Sequence, residues 1–246
     1  MSFESYTHCL FRAFESHQKP IDIIKRKKEI IDGVAGFHNF FPNSILFVGF
    51  SPAILATNCE NVAVTEISAE AKNLLDQHNI KYNYIDKKDL SKYNKSFDVV
   101  VALDEYFTFA DSDVDQKEKV VGICNLAREY VITTCKDYKN QDFKDREFSV
   151  PALIRSPKQN CVYLEFHDYD LQDRNKWNTK VYEINEGQLV NSGPFNRRAM
   201  FFKQLAKFSA DAGAVGFSVH KNLMYKSLIK KNYEHVISIQ FDNNGS

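Results

Sequence analysis

The chain has 246 residues and a mass of 28.4 kDa, which suits one large α/β domain and argues against a second full domain. Hydrophobic residues make up 43% and charged residues 26%, with 9 Gly and 6 Pro, a balance that excludes disordered, collagen-like and low-complexity proteins. Lys+Arg and Asp+Glu both total 32, so net charge draws the protein neither to nucleic acid nor to an anionic membrane.

The chain contains five cysteines, Cys9, Cys59, Cys124, Cys135 and Cys161. An odd number without a Cys-x-x-Cys pair argues against a zinc knuckle and against a disulfide framework, so we expect reduced thiols and no metal site. No run of about 18 apolar residues is present, and Glu4 and His8 stand where a signal peptide needs a basic and then an apolar stretch. We therefore expect a cytoplasmic protein with no membrane partner.

The first half of the chain has the pattern of helices followed by a parallel sheet. Residues 3–38 carry apolar side chains at helical spacing on either side of Pro20, which predicts two helices with a break. From Ile45 onward, short apolar runs alternate with polar, helix-forming segments, as in βαβ units. Strands are predicted at Ile45–Gly49, Val62–Thr65, Lys81–Ile85, Asp98–Leu103 and Tyr130–Thr133. Helices are predicted at about Pro52–Asn58, Ala69–His78 and Asp115–Ala127, with Ser51 and Ser68 as N-caps.

This alternation ends near residue 134. Cys161–Phe166 and Asn178–Ile184 resemble two strands around a polar turn at Asp168–Trp177, which predicts a hairpin insertion with a polar tip rather than a metal site. The tail predicts helices at about Phe195–Asp211 and Lys221–Lys230 and a last strand at His235–Phe241. We expect one domain over residues 1–246, with a helical extension over 1–40, a core over 45–134, and the insertion, two helices and last strand over 135–246.

Acidic residues follow three successive predicted strands: Glu66, Asp86 and Asp104. In an open parallel sheet, ligands bind beyond the carboxyl ends of the strands, where the strand order reverses. Carboxylates at that edge accept hydrogen bonds from ribose hydroxyls and from an exocyclic amine. The first strand ends in Gly-Phe-Ser-Pro-Ala at residues 49–53, whose small side chains let a ligand approach the backbone. The pattern predicts a nucleoside site.

In these features, residues 45–134 resemble a class I S-adenosylmethionine-dependent methyltransferase. In that family the first loop runs Gly-x-Gly-x-Gly, an acid ending the second strand holds the ribose, and further acids follow the third and fourth strands. The resemblance implies a doubly wound α/β fold with a mostly parallel seven-stranded sheet, S-adenosylmethionine as cofactor, and methyl transfer to an acceptor. By position, the cofactor would contact Gly49, Phe50, Ser51, Ala53, Glu66, Ile67, Asp86 and Asp104.

The resemblance also implies a role for each strand-end acid. Glu66 would hold the ribose and Asp86 would lie by the adenine. Asp104, Glu105 and Tyr106 would face the acceptor and orient or deprotonate it, and so are the candidate catalytic residues. Capping of the following loop is the equally weighted alternative for Asp104.

The first loop departs from the family pattern. Ser51 and Ala53 replace two glycines, Pro52 removes a backbone donor, and Phe47 stands where the family has an acid. These departures support an alternative hypothesis, a catalytically inactive methyltransferase-like subunit for binding or assembly. An NAD-dependent oxidoreductase ranks third, because Ile54 occupies the position where a dinucleotide-binding loop needs its third small residue.

Residues 197–231 are strongly basic, with Asp211 as the one acid. The basic side chains are Arg197, Arg198, Lys203, Lys207, His220, Lys221, Lys226, Lys230 and Lys231. Such a segment suits phosphate contacts with nucleic acid, although a solvated face is the more common explanation. The acceptor is therefore left open among a small molecule, a protein and, as the minority hypothesis, nucleic acid.

Overall fold

The computed structural model describes residues 2–17, 19–137, 152–156, 161–170, 172–173, 175–185, 187–226 and 233–242. Its strands form a seven-stranded sheet and a four-stranded sheet. The first contains β1 (Ser44–Val48), β2 (Asn61–Thr65), β3 (Asn83–Tyr84), β4 (Phe97–Ala102), β5 (Ala127–Cys135), β10 (Ala214–Lys226) and β11 (Tyr233–Phe241). The second contains β6 (Ala152–Ser156), β7 (Cys161–Tyr169), β8 (Lys176–Asn185) and β9 (Gln188–Arg198).

The central sheet has the strand order β10-β11-β5-β4-β1-β2-β3. Strands β1 to β5 run parallel to one another, and β11 runs antiparallel to both β5 and β10. The order reverses between β1 and β4, so the carboxyl ends of these two strands and of β2 define the edge at which this kind of sheet binds ligands. The expected mostly parallel seven-stranded sheet is confirmed.

Both faces of this sheet are buried, as the continuous apolar runs of its strands predict. Along β1, Ile45 and Phe47 pack into one apolar cluster, and Leu46 and Val48 pack into the other. This alternation follows from the two-residue period of a strand, which points successive side chains to opposite faces. Helices and the second sheet cover the two faces.

The described residues include five α-helices next to the central sheet: α1 (Phe3–Glu15), α2 (Pro20–His38), α3 (Ala69–Gln77), α4 (Asp113–Leu126) and α5 (Phe202–Asp211). Pro20 is the first residue of α2, so the predicted break between the first two helices is confirmed. The Ser68 side chain caps α3 by accepting from the Ala71 backbone N–H at 3.2 Å. None of the described helices is long and apolar enough to cross a membrane.

Helix α1 lies between the loop after β1 and the second sheet. The rings of Phe11 and Phe14 contact the Phe50 ring, with centroid distances of 5.1 and 5.7 Å. On its other side, Tyr6 meets Phe195 of β9 edge-on at 5.5 Å. These aromatic contacts fix α1 across the carboxyl edge of the central sheet.

The predicted hairpin is confirmed as β7 and β8, which pair antiparallel, and it is part of a four-stranded sheet that also contains β6 and β9. Three predictions about the elements are corrected. Residues 195–198 end β9 rather than begin a helix, because Phe195 pairs with Thr179 of β8. Residues 221–226 belong to β10, whose Lys226 pairs with Tyr233 of β11, while 227–230 lie outside the described residues. The predicted helix over 52–58 is a short 3-10 turn, Pro52–Ala56. In the two strand cases, pairing between strands overrides the local spacing of apolar residues.

Ser238 of β11 lies between two histidines, which gives the fold a pH dependence. Its Oγ is 2.7 Å from His38 Nε2 and 2.8 Å from His220 Nε2. Burial lowers the pKa of both imidazoles from 6.5, and for His220 the neighbouring His38 lowers it further. Each therefore takes up a proton more readily in the unfolded chain. The free energy of unfolding should fall as the pH drops below about 6.5.

Urea unfolding at about pH 7.5 and about pH 5.5 measures this loss. The double variant His38→Gln/His220→Gln should lose less stability between the two values than the wild type. The exposed His78 supplies the control, because His78→Gln should keep the full loss. An equal loss in the double variant and the wild type would contradict the assignment.

Candidate functional site

The loop after β1 begins at Gly49, whose φ of +80° turns the chain away from the strand. The Gly49 N–H donates to the Thr65 carbonyl of β2 at 2.8 Å, so the ends of the two strands stay joined. The Ser51 hydroxyl then caps the 3-10 turn by accepting from the Ala53 N–H at 3.4 Å, as its position predicts. Phe50, Ser51 and Ala53 are all buried.

Glu66 follows β2 with a buried carboxylate that already has two donors. Its Oε1 accepts from the Tyr106 hydroxyl at 2.9 Å, and its Oε2 lies 3.0 Å from Lys87 Nζ. Burial and the Glu66 charge raise the pKa of Tyr106 well above its usual value. The phenol therefore stays protonated at neutral pH and acts as a donor rather than a base.

The space in front of Gly49 is occupied by α1. A Cβ placed on Gly49 would lie 2.6 Å from Phe3 Cε1 and 2.7 Å from Thr7 Cγ2. The Thr7 hydroxyl also donates to the Glu66 carbonyl at 3.1 Å. The Phe3 ring meets Tyr106 edge-on at 4.7 Å. Residues of α1 thus lie directly on the two positions that the sequence assigns to a cofactor.

Asp104 and Tyr225 form a buried pair at the end of β4. The Tyr225 hydroxyl donates to Asp104 Oδ2 at 2.5 Å. Burial, followed by the Asp104 charge, raises the pKa of Tyr225 well above its usual value, which keeps its proton on the phenol. The other carboxylate oxygen, Oδ1, is buried and has no hydrogen-bond partner among the described residues.

Glu105 is held by β9 of the second sheet. Arg197 Nη2 lies 3.3 Å from Glu105 Oε2, and both side chains are at most 1% exposed. Arg197 also donates to the Thr108 hydroxyl from Nε at 2.9 Å and from Nη2 at 2.6 Å. Lys136 Nζ lies 3.5 Å from the same Glu105 oxygen. This network joins the two sheets through charge-assisted hydrogen bonds.

Backbone strain is concentrated at these strand ends. Glu66, Asp104 and Glu105 have φ values of +52°, +57° and +55°, in the left-handed region that side chains with a Cβ rarely adopt. Each such conformation costs on the order of 1 kcal/mol and persists where surrounding contacts hold it. The strain makes this edge a candidate functional site on grounds independent of the sequence pattern.

Most of the predicted site residues are buried at the carboxyl edge of the sheet, whereas Asp86 lies at the surface beside Lys87, whose Nζ is 3.0 Å from Glu66 Oε2. Asp86 is exposed, accepts from the Lys88 N–H at 3.1 Å and pairs with Lys88 Nζ at 3.1 Å. These hydrogen bonds from Lys88 lower the Asp86 pKa. Ile67 is fully buried in the apolar cluster that contains Ala53. The described residues contain no cluster of three His, Cys, Asp or Glu side chains that could hold a metal ion.

Sequence reasoning missed several residues of the site. Phe3 and Thr7 read as ordinary helix positions, and Lys87 and Tyr225 carry no motif. Arg197 was assigned to a basic segment, but it is buried, as is His220, so the segment is not one continuous phosphate-binding face. In β9, buried Phe195, exposed Asn196 and buried Arg197 alternate, but the charge of Arg197 hides this alternation in the sequence.

Comparisons with known proteins match the fold. No family model and no curated protein sequence matches the chain. A methyltransferase dependent on S-adenosylmethionine from Clostridium acetobutylicum has a TM-score of 0.65 and 13% identity, over 88% of this chain and 91% of that one. DesVI from Streptomyces venezuelae has a TM-score of 0.65 and 11% identity, over 97% and 99%. CalS10, an amino pentose methyltransferase from Micromonospora echinaspora with bound S-adenosylmethionine, has a TM-score of 0.57 and 12% identity, over 98% of both chains.

The protein therefore has the class I S-adenosylmethionine-dependent methyltransferase fold, as the sequence resemblance predicts. S-adenosylmethionine is the cofactor of the solved structures that share this fold. In the conformation described, the site of this chain does not fit that cofactor. Phe3 and Thr7 fill the space at Gly49, and the neighbouring cavity beside Lys87 and Tyr106 has about 140 Å³, against roughly 300–1,000 Å³ for pockets that hold ligands of drug-like size.

The Arg197–Glu105 pair supplies a stability prediction. Arg197→Leu removes the guanidinium beside the buried carboxylates of Glu105 and Glu165, together with the donors to Thr108. Loss of one partner of a buried pair costs roughly 3–5 kcal/mol, and we expect a loss of that size in the free energy of unfolding. Urea denaturation at neutral pH measures it.

The adjacent Arg198 provides the control. Its two partners, Asp113 and Asp173, have side chains that are 60% and 35% exposed, so Arg198→Leu should cost about 1 kcal/mol. If both variants lose the same small amount, the buried pair does not hold the two sheets together.

Proposed function

We propose that the protein is an S-adenosylmethionine-dependent methyltransferase that acts on a small-molecule acceptor. The observation that carries the proposal is the pairing of Gly49 and Glu66 at the carboxyl ends of adjacent strands, joined by the hydrogen bond from Gly49 to Thr65. A glycine at positive φ beside a buried carboxylate is the arrangement that the resemblance implies for the methionine side and the ribose of the cofactor. The strained backbone at the same edge supports a functional role.

The proposed cofactor contacts require α1 to leave Gly49. With Phe3 and Thr7 displaced, the cofactor-side residues are Gly49, Phe50, Ser51, Ala53, Glu66, Ile67, Asp86 and Asp104. The unpartnered Asp104 Oδ1 supports this assignment, because a buried carboxylate oxygen without a donor suits a ligand ammonium group. Asp104, Glu105 and Tyr106 remain the proposed acceptor-side residues, with Tyr106 as a hydrogen-bond donor.

A cavity of about 380 Å³ supports a small acceptor. Its lining includes the acids Asp111, Asp168 and Asp170 together with Lys176 and Arg197, a mixture that can accept hydrogen bonds from hydroxyl or ammonium groups and donate to oxygen atoms of an acceptor. It shares Asp111 and Asn196 with the cavity beside Tyr106. CalS10 acts on an amino pentose, which agrees with an acceptor of this chemistry.

A second candidate is a non-catalytic protein with the methyltransferase fold. The observation that favours it is that the chain's own side chains meet Gly49 and both carboxylate oxygens of Glu66, the groups proposed to bind the cofactor's methionine side and ribose. Phe3 and Thr7 cover Gly49, and Tyr106 and Lys87 use both oxygens of Glu66. In this case the fold serves as a scaffold, and the protein would not respond to the cofactor.

Calorimetric titration separates the two candidates. The wild-type protein, titrated to millimolar ligand, should bind S-adenosylmethionine and S-adenosylhomocysteine and should not respond to NAD. Glu66→Gln should weaken binding by about tenfold, since a hydrogen bond to a charged group contributes about 1.5–3 kcal/mol. The amide keeps the shape of the carboxylate, so the variant should remain folded.

Glu70→Gln is the matched control, because the Glu70 side chain is 61% exposed and lies beside His8, with Oε2 3.7 Å from His8 Nδ1. It should bind both ligands as the wild type does. Equal affinity in wild type and Glu66→Gln would remove Glu66 from the site. No binding in any folded variant would favour the non-catalytic candidate.

A further inference from the structure

We propose that residues 3–7 of α1 act as an intramolecular plug that occupies the cofactor's place and must be displaced before the cofactor binds. This inference rests on the proposed function, since it assigns regulation to the same site. Residues 3–7 are called the plug below. The proposal rests on the contacts of Phe3 and Thr7 with Gly49 and on the hydrogen bond from Thr7 to the Glu66 backbone.

The plug matches the site in both shape and polarity. The Phe3 ring takes the apolar space in front of Gly49 and packs edge-on against Tyr106 and Phe109, at 4.7 and 4.9 Å. The single proton of the Thr7 hydroxyl is shared between the Glu66 carbonyl at 3.1 Å and the Glu4 carbonyl of α1 at 2.9 Å. A ligand lying on Gly49 would need the volume that the Phe3 ring and the Thr7 methyl group occupy. The two occupants therefore exclude each other.

Displacement of the plug does not require α1 to leave the protein. Beyond the plug, the helix is anchored separately, by Phe11 and Phe14 on Phe50 and by Arg12 Nη2 at 2.6 Å from Glu183 Oε1. Helix ends open more easily than helix centres because they have fewer internal hydrogen bonds. Residues 3–7 can therefore unwind while the rest of α1 stays in place.

The apparent affinity for the cofactor equals the intrinsic affinity multiplied by the fraction of molecules in which the plug is displaced, so the plug lowers it. Burial of one phenylalanine side chain shifts an equilibrium by roughly 10- to 100-fold. Removing that side chain should therefore raise the affinity for the cofactor by about tenfold or more. Truncating a buried side chain near a ligand site usually lowers the affinity for the ligand, so the expected increase is opposite in sign.

The test uses Phe3→Ala/Thr7→Ser. Alanine removes the ring, and serine removes the Thr7 methyl group while keeping the hydroxyl that donates to Glu66. Phe14→Ala is the matched control, because it truncates another buried phenylalanine of α1 that lies on Phe50 rather than on Gly49. S-adenosylhomocysteine is the probe, and calorimetry gives its affinity for each protein after a thermal transition shows it to be folded. Phe3→Leu/Thr7→Ser is the milder variant if the first does not fold.

Tighter binding by about tenfold in the plug variant, with Phe14→Ala no tighter than the wild type, is the expected result. Equal affinity in the wild type and the plug variant would overturn the plug and leave the proposed cofactor site intact. Absence of binding in both, although both are folded, would overturn the plug and the proposed function together.

Hydrogen exchange on the wild type gives a readout without substitution. Saturation with S-adenosylhomocysteine should speed exchange of the backbone amides of residues 7–10, because these N–H groups donate to the carbonyls of residues 3–6 and lose those bonds when the plug unwinds. Exchange around Phe11 should be unchanged or slower. Slower exchange at residues 6 and 7 upon binding would show that ligand and plug coexist, which contradicts the proposal.

Discussion

The contact between Gly49 and the start of α1 is the constraint on which the rest of the site depends. Gly49 has no side chain, and its positive φ exposes the backbone at the end of β1, so Phe3 and Thr7 can lie directly on it. Because the Phe3 ring also meets Tyr106, this contact holds α1 at the carboxyl edge of the central sheet. That edge is where open α/β sheets bind ligands, so one surface serves both packing and recognition.

The acids at this edge follow the same logic. Buried carboxylates are tolerated only when donors or cations meet them, and each acid here has its own partner: Tyr106 and Lys87 for Glu66, Tyr225 for Asp104, and Arg197 for Glu105. These partners come from different elements, so the acids also tie the second sheet and β10 to the ends of β2 and β4. Asp104 Oδ1 is the exception, because it has no hydrogen-bond donor among the described residues. A buried acceptor without a donor is more typical of a ligand-binding site than of a protein core.

The central strands could be predicted from the sequence because burial on both faces produces uninterrupted apolar runs such as Ile45 to Val48. Strands β7, β8 and β11 could also be predicted, but β9 and β10 could not, because they are defined by pairing with distant partners, and Phe195 and Lys226 fit a helical spacing equally well. For the site, position along the sheet identified Gly49 and Glu66. Phe3 reaches Gly49 only through the way α1 packs, and no local pattern of residues 1–10 encodes that distance.

The loop at residues 49–53, in which Ser51 and Ala53 replace two glycines, and the packing of α1 on Gly49 both stabilise the folded protein. With Ser51 and Ala53 buried and the turn at Pro52 packed into the apolar cluster, the loop contributes to stability through its side chains. Packing of α1 on Gly49 adds to that stability, whereas a ligand at Gly49 must remove it. The same contacts therefore favour folding and oppose ligand binding. A substitution that strengthens the packing of α1 on the sheet raises the free energy of unfolding and lowers the affinity for the ligand by linked amounts. A chain under selection for stability alone would drift toward the closed arrangement. One that still turns over a cofactor has to keep the contact of Phe3 with Gly49 weak enough to break.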